Sequence, residues 1–245
     1  MSRINTLLKK NNISIITCYD ATFSSLLERC KCDAVLVGDS LGIVIKGDKN
    51  TRKVSIDEMI YHTRAVRLGS SCLPIISDMP LLALGTKNNA LINAKALIDA
   101  GADMIKIEGG SSVLPLIRFL SDNKIKVCAH IGYTPQSMKA PLAKVNRKKS
   151  LAIALNLQEN GAQMIVLSMM GSVTDKLITK NLTIPTIAFR SSNLCRGNVE
   201  IIYDLIGVTS KFLKVKKNRS VNDPKSCISG IIKFIETAHN KTTDD

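Results

Sequence analysis

Tryptophan is absent from this 245-residue chain, and aromatic residues make up only 4% of it. Rings on which unpaired bases can stack are therefore scarce, and no RNA- or DNA-binding signature is present. No run reaches about 18 apolar residues, and no apolar segment follows the first basic residues, so neither a membrane-spanning helix nor a secretory leader is expected. The seven cysteines are an odd number at irregular spacing, and no two of them form a Cys-x-x-Cys pair. That excludes a recognisable redox or zinc motif and predicts reduced thiols in the cytoplasm. A Gly-x-Gly-x-x-Gly turn after the first strand-like run is also missing, which weighs against an open dinucleotide-binding sheet.

Acidic residues are few, 20 against 34 lysines and arginines, giving a formal charge of +14 and a pI near 9.6. Such a balance favours phosphate backbones through counterion release. The basic residues are nevertheless scattered, with local clusters only at Arg147-Lys148-Lys149 and from Lys211 to Arg219. A solvated basic surface without a nucleic-acid partner is the expectation.

What the chain does have is aliphatic: 45% of residues are apolar, mostly Ile, Leu, Val and Ala. Such a composition suits parallel strands buried under helices. One stretch organises the rest. The apolar run Ala34 to Val37 leads into Val37-Gly-Asp-Ser-Leu-Gly42, which puts Asp39 at a strand's carboxyl end. Leu73 to Asp78 and Asp103 to Glu108 end the same way, delivering Asp78 and Glu108. Side chains alternate along a strand, so Lys106 and Glu108 share one face while Ile105 and Ile107 share the other.

Further strands are predicted at Ile13 to Cys18, at Ile125 to His130, at Met164 to Leu167 before Ser168, and at Ile184 to Phe189, with a weaker eighth around Asp204 to Val208. Helical periodicity runs from Asp20 to Cys30 and through Ala90 to Ala100. Ser55 and Glu58 form a capping box for a helix reaching about Leu68, with Gly69 as its stop. Gly101-Ala-Asp-Met-Ile echoes Gly161-Ala-Gln-Met-Ile, and each joins a helix end to a strand start. About eight strands separated by helical patterns predict a closed (β/α)8 TIM barrel in the α/β class, one domain over residues 1–245. A helix from Lys225 to His239 and a disordered tail over 240–245 complete the expectation.

In a barrel of this kind the active face lies at the carboxyl ends of the strands, where Asp39, Asp78, Glu108 and His130 fall. Three carboxylates at one mouth repel unless a cation joins them, and oxygen ligands suit Mg2+. Lys106 would hold an anionic substrate group, and His130 is a candidate base by position. A hard cation there would chelate a 2-oxo acid and stabilise the enolate formed when the neighbouring carbon loses a proton.

Five segments carry a resemblance: Val37 to Gly42, Tyr61-His-Thr63, Ser77-Asp-Met-Pro80, Met104 to Gly110 and His130-Ile-Gly-Tyr-Thr-Pro-Gln-Ser137. In order and over roughly Ile13 to Val208, the chain resembles the ketopantoate hydroxymethyltransferase family. The resemblance implies a magnesium-dependent (β/α)8 enzyme of pantothenate synthesis. Its expected reaction moves a one-carbon unit from 5,10-methylenetetrahydrofolate onto 3-methyl-2-oxobutanoate, giving 2-dehydropantoate. It further implies metal ligation by Asp39, Asp78 and Glu108, substrate contacts from Asp39, Ser40, Asp78 and Lys106, a matching histidine in His130, and a ring-shaped homo-oligomer, commonly a decamer.

The second half departs from the family pattern. Ser168 stands where the family carries the glutamate that resembles its proton-abstracting base. Ala188-Phe-Arg-Ser-Ser192 replaces a Gly-Ile-Gly-Ala-Gly turn, and a lysine- and glycine-containing loop is shortened to Lys144-Val-Asn-Arg-Lys148. Two readings follow: a working hydroxymethyltransferase with another base, or an impaired relative that binds magnesium and a 2-oxo acid as a binding or assembly protein.

Overall fold

The structure is a computed structural model and describes residues 2–138, 145–192, 194–206 and 208. The chain divides into two compact units, Met1–Glu200 and Ile201–Asp245. The first contains eight parallel strands, β1 (Ile13–Thr17), β2 (Ala34–Val37), β3 (Ile75–Asp78), β4 (Met104–Glu108), β5 (Val127–Gly132), β6 (Ala162–Ser168), β7 (Thr186–Phe189) and β8 (Gly197–Glu200). They pair in sequence order and close into a barrel, β8 returning to β1 with Ile13 opposite Gly197 and Ile15 opposite Val199.

Helices α1 (Arg3–Leu7), α2 (Ala21–Arg29), α3 (Leu41–Val44), α4 (Ile56–Gly69), α5 (Lys87–Asp99), α6 (Leu114–Asp122), α7 (Arg147–Glu159) and α8 (Ser172–Asn181) belong to this unit. Four of them, α2, α4, α5 and α7, start at side chains that accept orphan backbone N–H groups. Asp20 caps α2, Thr86 caps α5 and Asn146 caps α7. Ser55 and Glu58 form the expected reciprocal capping box on α4. The echoed glycines, Gly101 and Gly161, both have positive φ, the conformation that turns a helix end into the next strand.

The barrel core is aliphatic. Ile13, Ile15, Ala34, Leu36, Ile76, Met104, Cys128, Met164, Val166, Ile187 and Val199 pack as one buried cluster, joined by Ile4 and Leu7 of α1. That short helix closes the amino-terminal end of the barrel. Arg3 donates to Ser71 O just before β3 and to Asp103 just before β4, while Arg196, just before β8, donates to Leu8 O and Lys10 O. Two acids reinforce this end. Asp33 accepts from Ser14 N–H and from Lys10, and Asp103 accepts from Ile75 N–H and Arg67.

Two boundaries differ from expectation. The eighth strand lies at Gly197–Glu200, and Asp204 falls in a separate short helix, α9 (Ile202–Leu205), of the second unit. The reason is physical: β8 is mostly polar, alternating buried Gly197 and Val199 with exposed Asn198, whereas the following Ile201-Ile202-Tyr203 is the apolar run that attracts a strand assignment. The other is α4, whose last helical residue is Gly69 itself, one past the expected Leu68. A Cβ there would stand 2.1 Å from Ala21 O, so this glycine serves the close approach of α2. The expected helix at Lys225 to His239 and the tail over 240–245 lie outside the described residues.

Candidate active site at the barrel mouth

Each strand that carries the core inward carries the site one or two steps further along the same face, because alternation sends every second residue inside. Ile76 leads to Asp78 on β3, Met104 to Lys106 and Glu108 on β4, Cys128 to His130 on β5, and Val166 to Ser168 on β6. Asp39 stands two residues past the end of β2. Asp39, Asp78, Lys106, Glu108, His130 and Ser168 are all buried.

Hydrogen bonds tie most of these groups into one array. Asp39 N–H donates to Asp78 Oδ2 at 3.0 Å, and Lys106 Nζ donates to Asp78 Oδ1 at 2.6 Å. Glu108 Oε1 accepts from the backbone N–H of Gln136 at 2.6 Å. The Gln136 side chain then crosses the mouth, its Nε2 donating to Asp39 Oδ2 at 2.8 Å and to Met79 O at 3.1 Å. His130 Nδ1 lies 3.0 Å from Glu108 Oε2. That approach is close but off the line of a hydrogen bond, and neither ring nitrogen has another partner among the described residues. Ser40 Oγ and Tyr19 OH are 2.8 Å apart, and His62 Nδ1 lies 2.6 Å from Tyr19 O, which fixes Nδ1 as the donor.

The electrostatics are unbalanced towards negative charge. Burial, followed by the neighbouring Asp78 carboxylate, pushes Asp39 up to about 7. For Lys106 burial works against the charge, but Asp78, Asp39 and Glu108 outweigh it and raise the ammonium above its usual range. Burial also works against the Glu108 carboxylate, yet His130 and Lys106 draw it below its ordinary value. Three carboxylates facing one buried ammonium leave two negative charges uncompensated when all are ionised. Hard oxygen donors with that deficit fit a divalent cation. Among the described residues, no three His, Cys, Asp or Glu side chains form a ready-made metal cage.

Two residues of this array, Gln136 and Tyr19, carry no role in the sequence reading. Tyr19 stands two residues past β1, as Asp39 stands two past β2, and the rule that selects strand ends could have found it. Gln136 sits in a turn, where no periodicity points to a direction, and only its place in the His130 to Ser137 motif marks it.

Ser168 ends β6 fully buried, and its Oγ has no hydrogen-bond partner among the described residues. After β7 the chain turns through Arg190, whose φ of 47° lies in the left-handed region. Ser191 Oγ and Ser192 Oγ both donate to Asp175 Oδ2, at 2.6 and 2.7 Å, and so anchor the segment that replaces the glycine-rich turn. Of the shortened loop, Lys144 lies outside the described residues, while Asn146 caps α7 and Arg147 and Lys148 open it. No helix among the described residues is long and apolar enough to cross a membrane.

The fold is shared with solved structures of low sequence similarity. Phosphonopyruvate hydrolase in complex with oxalate and Mg++ superposes with a TM-score of 0.67 at 11% identity, covering 98% of each chain. Phosphoenolpyruvate phosphomutase from Streptomyces platensis subsp. rosaceus gives 0.66 at 12%, again over 98% of each chain. Sequence relatives are much nearer. The 3-methyl-2-oxobutanoate hydroxymethyltransferase of Nitrosospira multiformis is 41% identical over 81% of this chain and 78% of its own length. The protein of that name from Vibrio parahaemolyticus is 34% identical over 94% and 89%, and that of Wigglesworthia glossinidia brevipalpis 40% identical over 88% and 85%. The family model described as Ketopantoate hydroxymethyltransferase matches residues 1–242, and with relatives of this identity along most of its length the chain belongs to the ketopantoate hydroxymethyltransferase family.

Proposed function

We propose that this chain moves a hydroxymethyl group from 5,10-methylenetetrahydrofolate to 3-methyl-2-oxobutanoate, giving 2-dehydropantoate for pantothenate biosynthesis. Family membership supports the reaction, and the observation that carries it to this mouth is the buried excess of carboxylate around Asp39. Mg2+ balances that excess. Asp39, Asp78 and Glu108 are its proposed protein ligands; a cation of this kind is commonly held by one or two carboxylates together with water and substrate oxygens, so a closed three-acid cage is not required. When bound, it supplies Lewis-acid stabilisation of the charge that develops on the keto oxygen, worth several kcal/mol.

The chain's own groups do the remaining work. Lys106, held charged by its carboxylate neighbours, binds the substrate carboxylate, with Ser40 as a further contact. Glu108, drawn into its ionised form beside His130, favours the proton on Nδ1 and leaves the Nε2 lone pair as base for the C3 proton of the keto acid. Water hydrolyses the methylene bridge, leaving tetrahydrofolate with both nitrogens protonated and the one-carbon unit as formaldehyde. The carbanion at C3 adds to that carbonyl carbon, and the alkoxide formed takes back the proton from His130 as the new hydroxyl.

A second reading, an impaired relative that binds magnesium and a 2-oxo acid with little turnover, rests on one observation: β6 ends in Ser168, a hydroxyl far too weak to remove this proton. Exchange of deuterium into C3 of 3-methyl-2-oxobutanoate separates the two. The proposal expects magnesium-dependent exchange that falls about 10²- to 10⁴-fold in His130→Asn, the usual worth of a positioned base. No exchange in the unaltered protein, with exchange restored by Ser168→Glu, would establish the impaired reading instead. A cytoplasmic homo-oligomeric ring with no nucleic-acid or membrane partner completes the proposal.

A further inference from the structure

Gln136 is a side-chain amide in the mouth, and its orientation is fixed. Nε2 donates to Asp39 Oδ2 at 2.8 Å and to the Met79 carbonyl at 3.1 Å, and because a backbone carbonyl can only accept, turning the amide over would set oxygen against oxygen at Met79. Its backbone N–H is held as well, by Glu108 Oε1 at 2.6 Å. The side chain is buried, and the remaining atom, Oε1, has no hydrogen-bond donor among the described residues. A buried carbonyl oxygen without a donor is costly, and a side chain held by two hydrogen bonds on a backbone held by a third cannot turn away to relieve it.

We infer that Gln136 Oε1 is a receptor for an O–H group that enters the mouth during the reaction. This rests on the function proposed above. In that reaction two species can bring such a donor. One is the hydroxymethyl group, since 3-methyl-2-oxobutanoate has no O–H beyond its ionised carboxylate, whereas 2-dehydropantoate carries one on the new carbon. The other is a water on the cation beside Asp39. Either way Gln136 joins the two ends of the acid array and reports what has been made or bound between them. It acts as a positioning residue for Asp39 and Glu108 and, if the donor is the hydroxymethyl group, as the group that distinguishes product from substrate.

The test is calorimetric, on the full chain and on Gln136→Met, which keeps length and apolar volume but removes both amide functions. Three affinities are compared: Mg2+ alone, Mg2+ with 3-methyl-2-oxobutanoate, and Mg2+ with 2-dehydropantoate in the absence of tetrahydrofolate. A loss of about tenfold confined to 2-dehydropantoate, the worth of one hydrogen bond, identifies the hydroxymethyl group as donor. A similar loss already present for Mg2+ alone identifies the water. Unchanged affinities, or equal losses that track a fall in melting temperature, would overturn the inference and reduce Gln136 to a prop. Should the variant not fold, a crystal structure of the unaltered chain with Mg2+ and 2-dehydropantoate decides: an oxygen within about 3.2 Å of Oε1 supports the inference and its absence refutes it. If the unaltered chain bound neither Mg2+ nor keto acid, the functional reading itself would fail, a result distinct from a variant that binds as well as its parent.

Discussion

At the scale of single residues, the mouth is a case of proton affinity set by crowding. Asp39 holds its proton to about pH 7, well above an unfolded aspartate, because burial and Asp78 both disfavour its charge. The folded state therefore binds the extra proton between the normal carboxylate range and 7, and the stability linked to this group is lost as pH rises through that value. The melting temperature of the metal-free chain should drop between about pH 5.5 and pH 8 on this account, and Asp39→Asn should flatten the slope. The Mg2+ proposed above would take the proton's place, so it should restore stability at the higher pH, by about 2.7 kcal/mol at a hundredfold excess over its Kd, and do little at the lower. Thermal melts with magnesium or chelator would show it; a slope that survives Asp39→Asn would assign the linkage elsewhere. The acids, Lys106 and His130 were legible because a period of two and a strand end fix where a side chain points. Gln136 was not, since a turn has no period and its function depends on distant partners.

Elements teach a different lesson, about contact between neighbours. Gly69 looks like a helix stop in the sequence and α4 does end on it, but the missing Cβ also lets the end of α4 meet the start of α2. Gly69→Val should then cost about 1 to 3 kcal/mol through overpacking alone, since no unusual backbone angle is involved. Urea denaturation measures this, and a neutral result would show that α2 can shift aside. Capping was readable before any coordinates, as Ser55 and Glu58 demonstrate, because it is a local affair of four residues. The last strand was not. Gly197 to Glu200 has too little apolar character to announce itself, and it is a strand only because β1 and β7 stand on either side waiting to be joined.

For the molecule as a whole, the barrel was foreseeable from repetition: a helix, a glycine and a strand, twice in nearly the same letters. The distribution of its thiols was foreseeable only in part. Cys18 and Cys128 are buried, and desolvation pushes both to about 12, so at mildly alkaline pH they remain protonated thiols. Cys30 and Cys72 are exposed. Alkylation of the native protein followed by mass spectrometry should label the exposed pair first and reach Cys18 and Cys128 only after unfolding. Early labelling of Cys128 would mean that the barrel opens far more readily than its packing implies. What composition could not reveal was the use of similar acids for opposite purposes, Asp33 and Asp103 binding the lower end together while Asp39, Asp78 and Glu108 crowd the upper.

The short helix before the first strand, with Ile4 and Leu7 pressed into the aliphatic interior, caps a core that strand side chains already fill, so the barrel is a cup and not a pipe. Nothing can pass through from below. Whatever reacts in the bowl must come and go over the same rim, so each arrival blocks the next departure, and the order of traffic is a matter for that rim alone.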